Sequence, residues 1–176
     1  AEAARHAPFA IGDGGTAGSI AGNIVNNASL VFNRADNLSF AGTLSGAGAT
    51  SKLGAGTLAL SGDSSAYPGT TQLSAGTLQV DGKLGGRVQA AAGTTLTGTG
   101  TLNAVTVGSG ATLAPGNAAA PYGQMALTGD LNFKPGAAYR VATDASGLSS
   151  SVRAAGTATL AGTVVQLAQN GNYAPS

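Results

Sequence analysis

Few residues of this chain are of a type that does chemistry, and none is spaced for it. His6 is the only histidine. With Asp13 and Ser19 it supplies the residue types of an acyl-transfer triad. No G-x-S-x-G phrase, which would hold a serine on a strand-to-helix elbow, accompanies them. A terminal histidine without a catalytic role accounts for it better. Two carboxylates flanking a glycosidic bond could hydrolyse it. Asp63 and Asp81 are the best placed, each beside a similar phrase, but they stand in the turn dipeptides Gly62-Asp63 and Asp81-Gly82. Aspartate has an ordinary structural role there, bonding nearby backbone. GDGG at 12–15 has the look of a calcium-binding nonapeptide repeat, but the Gly-Gly-x-Gly-x-Asp phrase does not recur, so it reads as a tight turn. Zinc lacks ligands, because cysteine is absent. No glycine-rich phrase has the G-x-x-x-x-G-K-[ST] order of a phosphate cradle. Arg87, Arg140 and Arg153 are isolated, with no interleaved aromatics for stacking bases. The expectation is no catalytic residue, no metal ligand, no cofactor and no nucleic-acid partner.

Composition agrees with that expectation. Eight basic and seven acidic residues nearly cancel, so no positive field awaits a phosphate backbone. Glycine contributes 29 of 176 residues, without the strict three-residue period of collagen. Four Phe, four Tyr and no Trp make a compact globule with a large core a poor match. A thin aliphatic core repeated along an axis suits the chain better. No apolar run reaches the ~18–20 residues that span a bilayer as a helix. The chain begins with Ala and is expected to be a processed product or a cut fragment.

The elements that position everything else are carried by 54–116. A phrase of glycine, small residue and leucine returns there, with Leu58, Leu78, Leu96 and Leu113 separated by 20, 18 and 17 residues. Leu38 lies 20 residues before Leu58. Such a period predicts stacked rungs, none of which could bury its inner face alone. TLAL at 57–60 and TLQV at 77–80 are near duplicates. Alternation puts Leu58, Leu60, Leu78 and Val80 inside and their small or polar neighbours outside. Leu38, Leu58, Leu78, Leu96 and Leu113 should therefore form one interior row. Asparagines near 23–37 suit corners, where their amides could stack. Asn27 and Asn37 begin glycosylation sequons, which are short and common. Pro68-Gly69 reads as a type II turn with Gly69 at positive φ, and Tyr67 as a shield over the end of the core.

The remaining boundaries follow. Residues 1–18 read as an irregular or capping segment, 19–116 as rungs with a period of 17–20, and 117–126 as a surface loop. Residues 127–176 form a C-terminal β block that stops without a closing strand, as though the natural protein continues. LNF at 131–133 and YRV at 139–141 flank a KPGA turn, giving either a hairpin or a turn between rungs.

Residues 54–80, GAGTLALSGDSSAYPGTTQLSAGTLQV, resemble the autotransporter-associated β-strand repeat. Gly54, Gly56, Leu58, Leu60 and Gly62 match its first part, Tyr67, Gly69 and Thr70 its second, and Gly76, Thr77, Leu78 and Val80 its third. Pro68 replaces a common threonine, and Ser65 stands near the usual asparagine. VTVGSGATLAPG at 105–116, LTGDLNF at 127–133 and GTATLAGTVVQL at 156–167 resemble, in order, the C-terminal part of a bacterial type V autotransporter passenger. Ser149 to Arg153 lacks the aspartate that family members carry before GTATL.

The resemblance covers about 40–176. It implies an all-β, right-handed parallel β-helix with a more hydrophobic C-terminal capping or autochaperone block. It also implies a place at the bacterial cell surface or in the secreted fraction, after passage through the periplasm and outer membrane. The implied partners are the upstream passenger and the C-terminal outer-membrane β-barrel of the same polypeptide. The implied function is a non-catalytic stalk and intramolecular chaperone, with any enzymatic activity upstream. The alternatives are an adhesin or self-associating module, meeting a host surface or its own copy, and, less in keeping with the residues, part of a polysaccharide-acting β-helix enzyme. The folding nucleus is expected at Leu131, Phe133, Tyr139, Val141, Leu160, Val164 and Leu167. The long apolar runs of 127–168 predict that this block is the most stable, with Leu160 buried.

Overall fold

The chain winds as a right-handed parallel β-helix, described over residues 7–168 in a computed structural model. Each full turn lays one short strand on each of three faces. The first face holds Ile24–Val25, Leu44–Ser45, Asp63–Ser64, the leading ends of Lys83–Ala90 and Thr101–Val107, then Gln124–Leu127 and Ser151–Ala154. The second begins one strand earlier, with Phe9–Ile11 pairing Ser29–Asn33, and ends with Ala158–Leu160 on Leu131–Phe133. The third is a seven-stranded sheet running from Leu38–Phe40 to Thr163–Ala168. The ladders between named strands are parallel, so each turn presents its backbone groups to the next.

Leucines that recur in sequence recur in space. On the third face Leu38 pairs with Leu58, Leu58 with Leu78, Leu78 with Leu96, Leu96 with Leu113, Leu113 with Tyr139 and Tyr139 with Val164. Leu58, Leu78, Leu96 and Leu113 are at most 1% exposed, and Leu60 and Val80 lie buried beside them. Leu38 is half-buried and packs against the same core. The second face supplies Ile11, Phe32, Leu73, Ala90, Val107 and Phe133 in one inward row.

The corners work by close approach. Gly42, Gly62, Gly82 and Gly100 form a row in which a Cβ would lie 2.0–2.2 Å from the carbonyl oxygen of the glycine one turn earlier. Gly62→Ala should therefore force adjacent turns apart and cost about 1–3 kcal/mol, the usual range for overpacking. Urea unfolding checks this, and an unchanged midpoint would remove the glycine row from the account. A second stability prediction concerns Thr71, which stacks between Thr50 and Val88. Its hydroxyl is buried without a hydrogen-bond partner among the described residues. Thr71→Val, isosteric and apolar, should raise stability by about 1 kcal/mol, read as a higher melting temperature.

Several expectations need correction. Phe9–Ile11 is a strand within the segment read as irregular, and Gln124–Leu127 begins inside the stretch read as a loop. LNF and YRV do not form a hairpin. Leu131–Phe133 and Ala138–Thr143 belong to different faces and pair with the turns before and after them. Gly69 is not at positive φ. Its lack of a side chain is needed because a Cβ would meet the Gly48 carbonyl oxygen at 2.0 Å. Tyr67 is wholly buried, inside the core rather than over its end. Leu160 is 72% and Val164 71% exposed, because no described turn covers the last one. An open apolar cleft of about 250 Å³ lies there between Phe133, Tyr139, Val152 and Leu160. Leu131 and Phe133, one turn deeper, are 3% and 4% exposed, whereas Tyr139, Val141 and Leu167 are half-buried.

Candidate functional site

The residues that could have done chemistry are engaged in holding corners. Asp63 forms an ion pair with Lys83 one turn later at 2.8 Å and accepts from the Ser65 hydroxyl at 2.6 Å. These contacts, Lys83 first, hold its carboxyl far below the usual carboxylate range. Asp81 accepts from the Gln79 amide at 2.6 Å, the Asn117 amide at 2.8 Å and the Thr99 backbone N–H at 3.1 Å. Burial opposes its ionisation, and the three donors outweigh burial, so its pKa is lowered. A general acid needs a raised pKa, and both carboxyls move the other way. Asp13 accepts from the Gly15 N–H in the predicted tight turn, Ser19 is exposed, and His6 lies outside the described residues. Among the described residues no group of three or more acidic, histidine or cysteine side chains could hold a metal ion.

Corner side chains follow one rule that sequence reading missed. Asn23, Asn27 and Asn37 each accept the backbone N–H of the residue 20 positions later, at Thr43, Ala47 and Thr57. Asp130 accepts from Thr157 at 2.8 Å in the same way, at the start of the GTATL strand. The amides thus bridge turns by side chain to backbone. The regular 20-residue spacing of the three asparagine pairs was a usable signal.

Two buried side chains, Tyr67 and Lys52, centre hydrogen-bond clusters inside the core. The Tyr67 hydroxyl donates to the Gly48 carbonyl and receives the Thr50 hydroxyl at 2.8 Å and the Asn26 amide at 3.3 Å. Lys52 is 2% exposed and occupies the inward row between Phe32 and Leu73. Its ammonium donates to the carbonyls of Leu53 (2.8 Å), Gly54 (2.9 Å) and Ala75 (3.2 Å), the last on the next turn. Burial lowers its pKa. One turn earlier Arg34 plays a related part, paired with Asp36 and donating to the carbonyls of Thr16 and Gly18. The only sequence signal for Lys52 is parity, since Thr50 and Lys52 in ATSKL share the inward parity of Thr71 and Leu73 in TTQL.

The outer face of the third sheet is small and polar. Thr57, Thr77, Thr95 and Thr112 stand in register, one per turn, beside the row of Gln79, Thr97 and Ala114. Such an arrangement offers hydroxyls at the ~4.8 Å strand spacing. It offers no nucleophile activated by a base.

Comparison with known proteins adds family context. Residues 51–80 match the family model of the passenger-associated-transport-repeat. Over 42 residues the chain is 60% identical to the adhesin BmaC autotransporter of Brucella suis biovar 1 (strain 1330). That stretch is 24% of this chain and 1% of the relative. With its candidate acids committed to corners, the chain is a β-solenoid segment that carries a passenger-associated-transport-repeat and is homologous, over that stretch, to an autotransporter adhesin.

Proposed function

We propose that this chain is a β-helical stalk and intramolecular chaperone for an autotransporter passenger at the bacterial outer surface. The observation that carries the reading is the register, unbroken from Leu38 to Val164, in which each turn is a complete template for its neighbour. Burial of Leu102, Val105, Met125, Leu127, Leu131 and Phe133 by the strands Thr101–Val107, Gln124–Leu127 and Leu131–Phe133 supports a folding nucleus there. Turns nearer the N-terminus then add onto that surface. Leu160 and Val164 join the core only when something covers them. The upstream passenger and an outer-membrane β-barrel of the same polypeptide are the partners this role requires.

Two truncations test it. A chain without 7–53 should keep its β-sheet circular dichroism and unfold cooperatively. A chain without 127–168 should lose both. If the two behave alike, or in the reverse order, the chaperone reading fails.

A second reading is favoured by the in-register threonine row on the third face, together with the adhesin relative. In it the same stalk is an adhesive module that meets a host surface. Beads coated with the chain should then adhere to cultured epithelial cells above albumin-coated controls, and equal adherence would dismiss it.

A further inference from the structure

One interruption of the regular winding forms a wall beside a sheet face. Between Thr112–Pro115 and Gln124–Leu127 the chain leaves the corner and folds back beside the outer face of the third sheet. This excursion is braced. Gly116 exchanges two 2.9 Å backbone hydrogen bonds with Gly98, and its carbonyl also accepts the Thr97 hydroxyl at 2.7 Å. The Asn117 amide donates to Asp81, and its side-chain oxygen accepts the N–H groups of Ala119 (3.0 Å) and Ala120 (2.8 Å). The braced loop walls a groove of about 440 Å³, within the ~300–1,000 Å³ of small-molecule sites.

The lining is amphipathic and carries one charge. Ala114, Pro115, Ala118 and Pro121 supply apolar surface, and among the described residues Arg140 is the one ionised side chain that lines the groove. Arg140 is exposed and belongs to neither ion pair found among the described residues. The other polar groups are partly spoken for as donors. One Gln79 amide N–H points to Asp81 and the Thr97 hydroxyl to Gly116, which leaves Gln79 a second N–H and its Oε1, and leaves Thr97 Oγ1 as an acceptor.

We propose that this groove binds a sugar acid, a pyranose ring carrying a carboxylate. A carboxylate meets the planar fork of a guanidinium through two parallel hydrogen bonds. Ring hydroxyls, each both donor and acceptor, match the free amide edge of Gln79 and the acceptor of Thr97, and the C–H face of the ring covers the alanines and prolines. A phosphate would be served by several cations, and the groove has one. The proposal rests on the adhesive reading and names its ligand class.

The test is titration of the isotope-labelled chain by NMR with tetragalacturonate and, separately, with its methyl ester, which removes only the charge. A parallel pair, 3′-sialyllactose and lactose, distinguishes a uronic acid from a sialic acid. Shifts confined to 79, 97, 116–121 and 140 are expected with an acidic sugar. Its neutral counterpart should bind about tenfold or more weakly, as should Arg140→Ala with the acidic sugar. No shift at these residues with either acid, or equal binding of charged and neutral sugars, overturns the proposal. Bead adherence that persists in Arg140→Ala leaves the adhesive reading standing while the groove fails. Loss of adherence by the unaltered chain removes the reading itself.

Discussion

Leu96→Ala should remove about 2–5 kcal/mol of stability, whereas Leu160→Ala should change it by under about 1 kcal/mol. Leu96 is fully buried between Leu78 and Leu113, with a rung above and a rung below. Truncation there leaves a cavity that rigid, hydrogen-bonded rungs cannot close. Leu160 belongs to an equally apolar stretch but is 72% exposed. In a stack, an apolar run stabilises only when a neighbouring turn covers it, so area on one turn is decided by the next. Urea denaturation of both variants measures the contrast. Equal losses would mean that the last turn is as well packed as the middle.

Lys52→Ala should cost about 3–5 kcal/mol, because it leaves a cavity in the inward row and also strips the donor from three carbonyls. Those carbonyls belong to two consecutive turns, so the ammonium ties their register as well as filling space. Lys52→Met keeps the volume and removes a buried charge, a change that is often close to neutral, and should recover much of the loss. The pH dependence separates the two roles. Burial sets the folded pKa of Lys52 below the ordinary 10.5. Between those values the folded chain holds fewer protons at this site than the unfolded one, so stability rises with pH across that window. Burial raises the Tyr139 pKa above the ordinary 10.0 and acts in the opposite sense above that value. The rise attributable to Lys52 is therefore the part absent from Lys52→Met. A slope identical in both proteins would mean that the folded and unfolded chains hold the Lys52 proton alike, so that burial does not act on the ammonium.

The leucine row of the third face was legible in the sequence because like residues stack on like. A period of about 20 repeats both the residue type and the turn glycines, so periodicity and packing carry the same information. The second face was far less legible. Its inward row passes from Phe32 to Lys52 to Leu73, and only parity links them. A lysine reads as surface on any local scale, and although Leu53 and Gly54 follow it directly, its third acceptor, Ala75, and the turns that bury it lie far along the chain. The groove wall was hidden for the same reason. The Asn117 to Asp81 hydrogen bond joins residues 36 apart, and the loop alone, GNAAAPYG at 116–123, shows no partner for its asparagine. Leu160 was misread because hydrophobicity is local and burial is not. The aspartates at 63 and 81 were read as turn residues from their neighbours, and their bonds are those of corners.

In the stalk-and-chaperone reading the turns from 101 to 143 form first and template those before them. Pulse-labelling hydrogen exchange during refolding tests it most directly. The amides of Thr101–Val107, Gln124–Leu127 and Leu131–Phe133 should become protected before those of Ser29–Asn33, Ala49–Leu53 and Thr57–Leu60. Protection that starts in the 29–60 segments and spreads toward the C-terminus would contradict it.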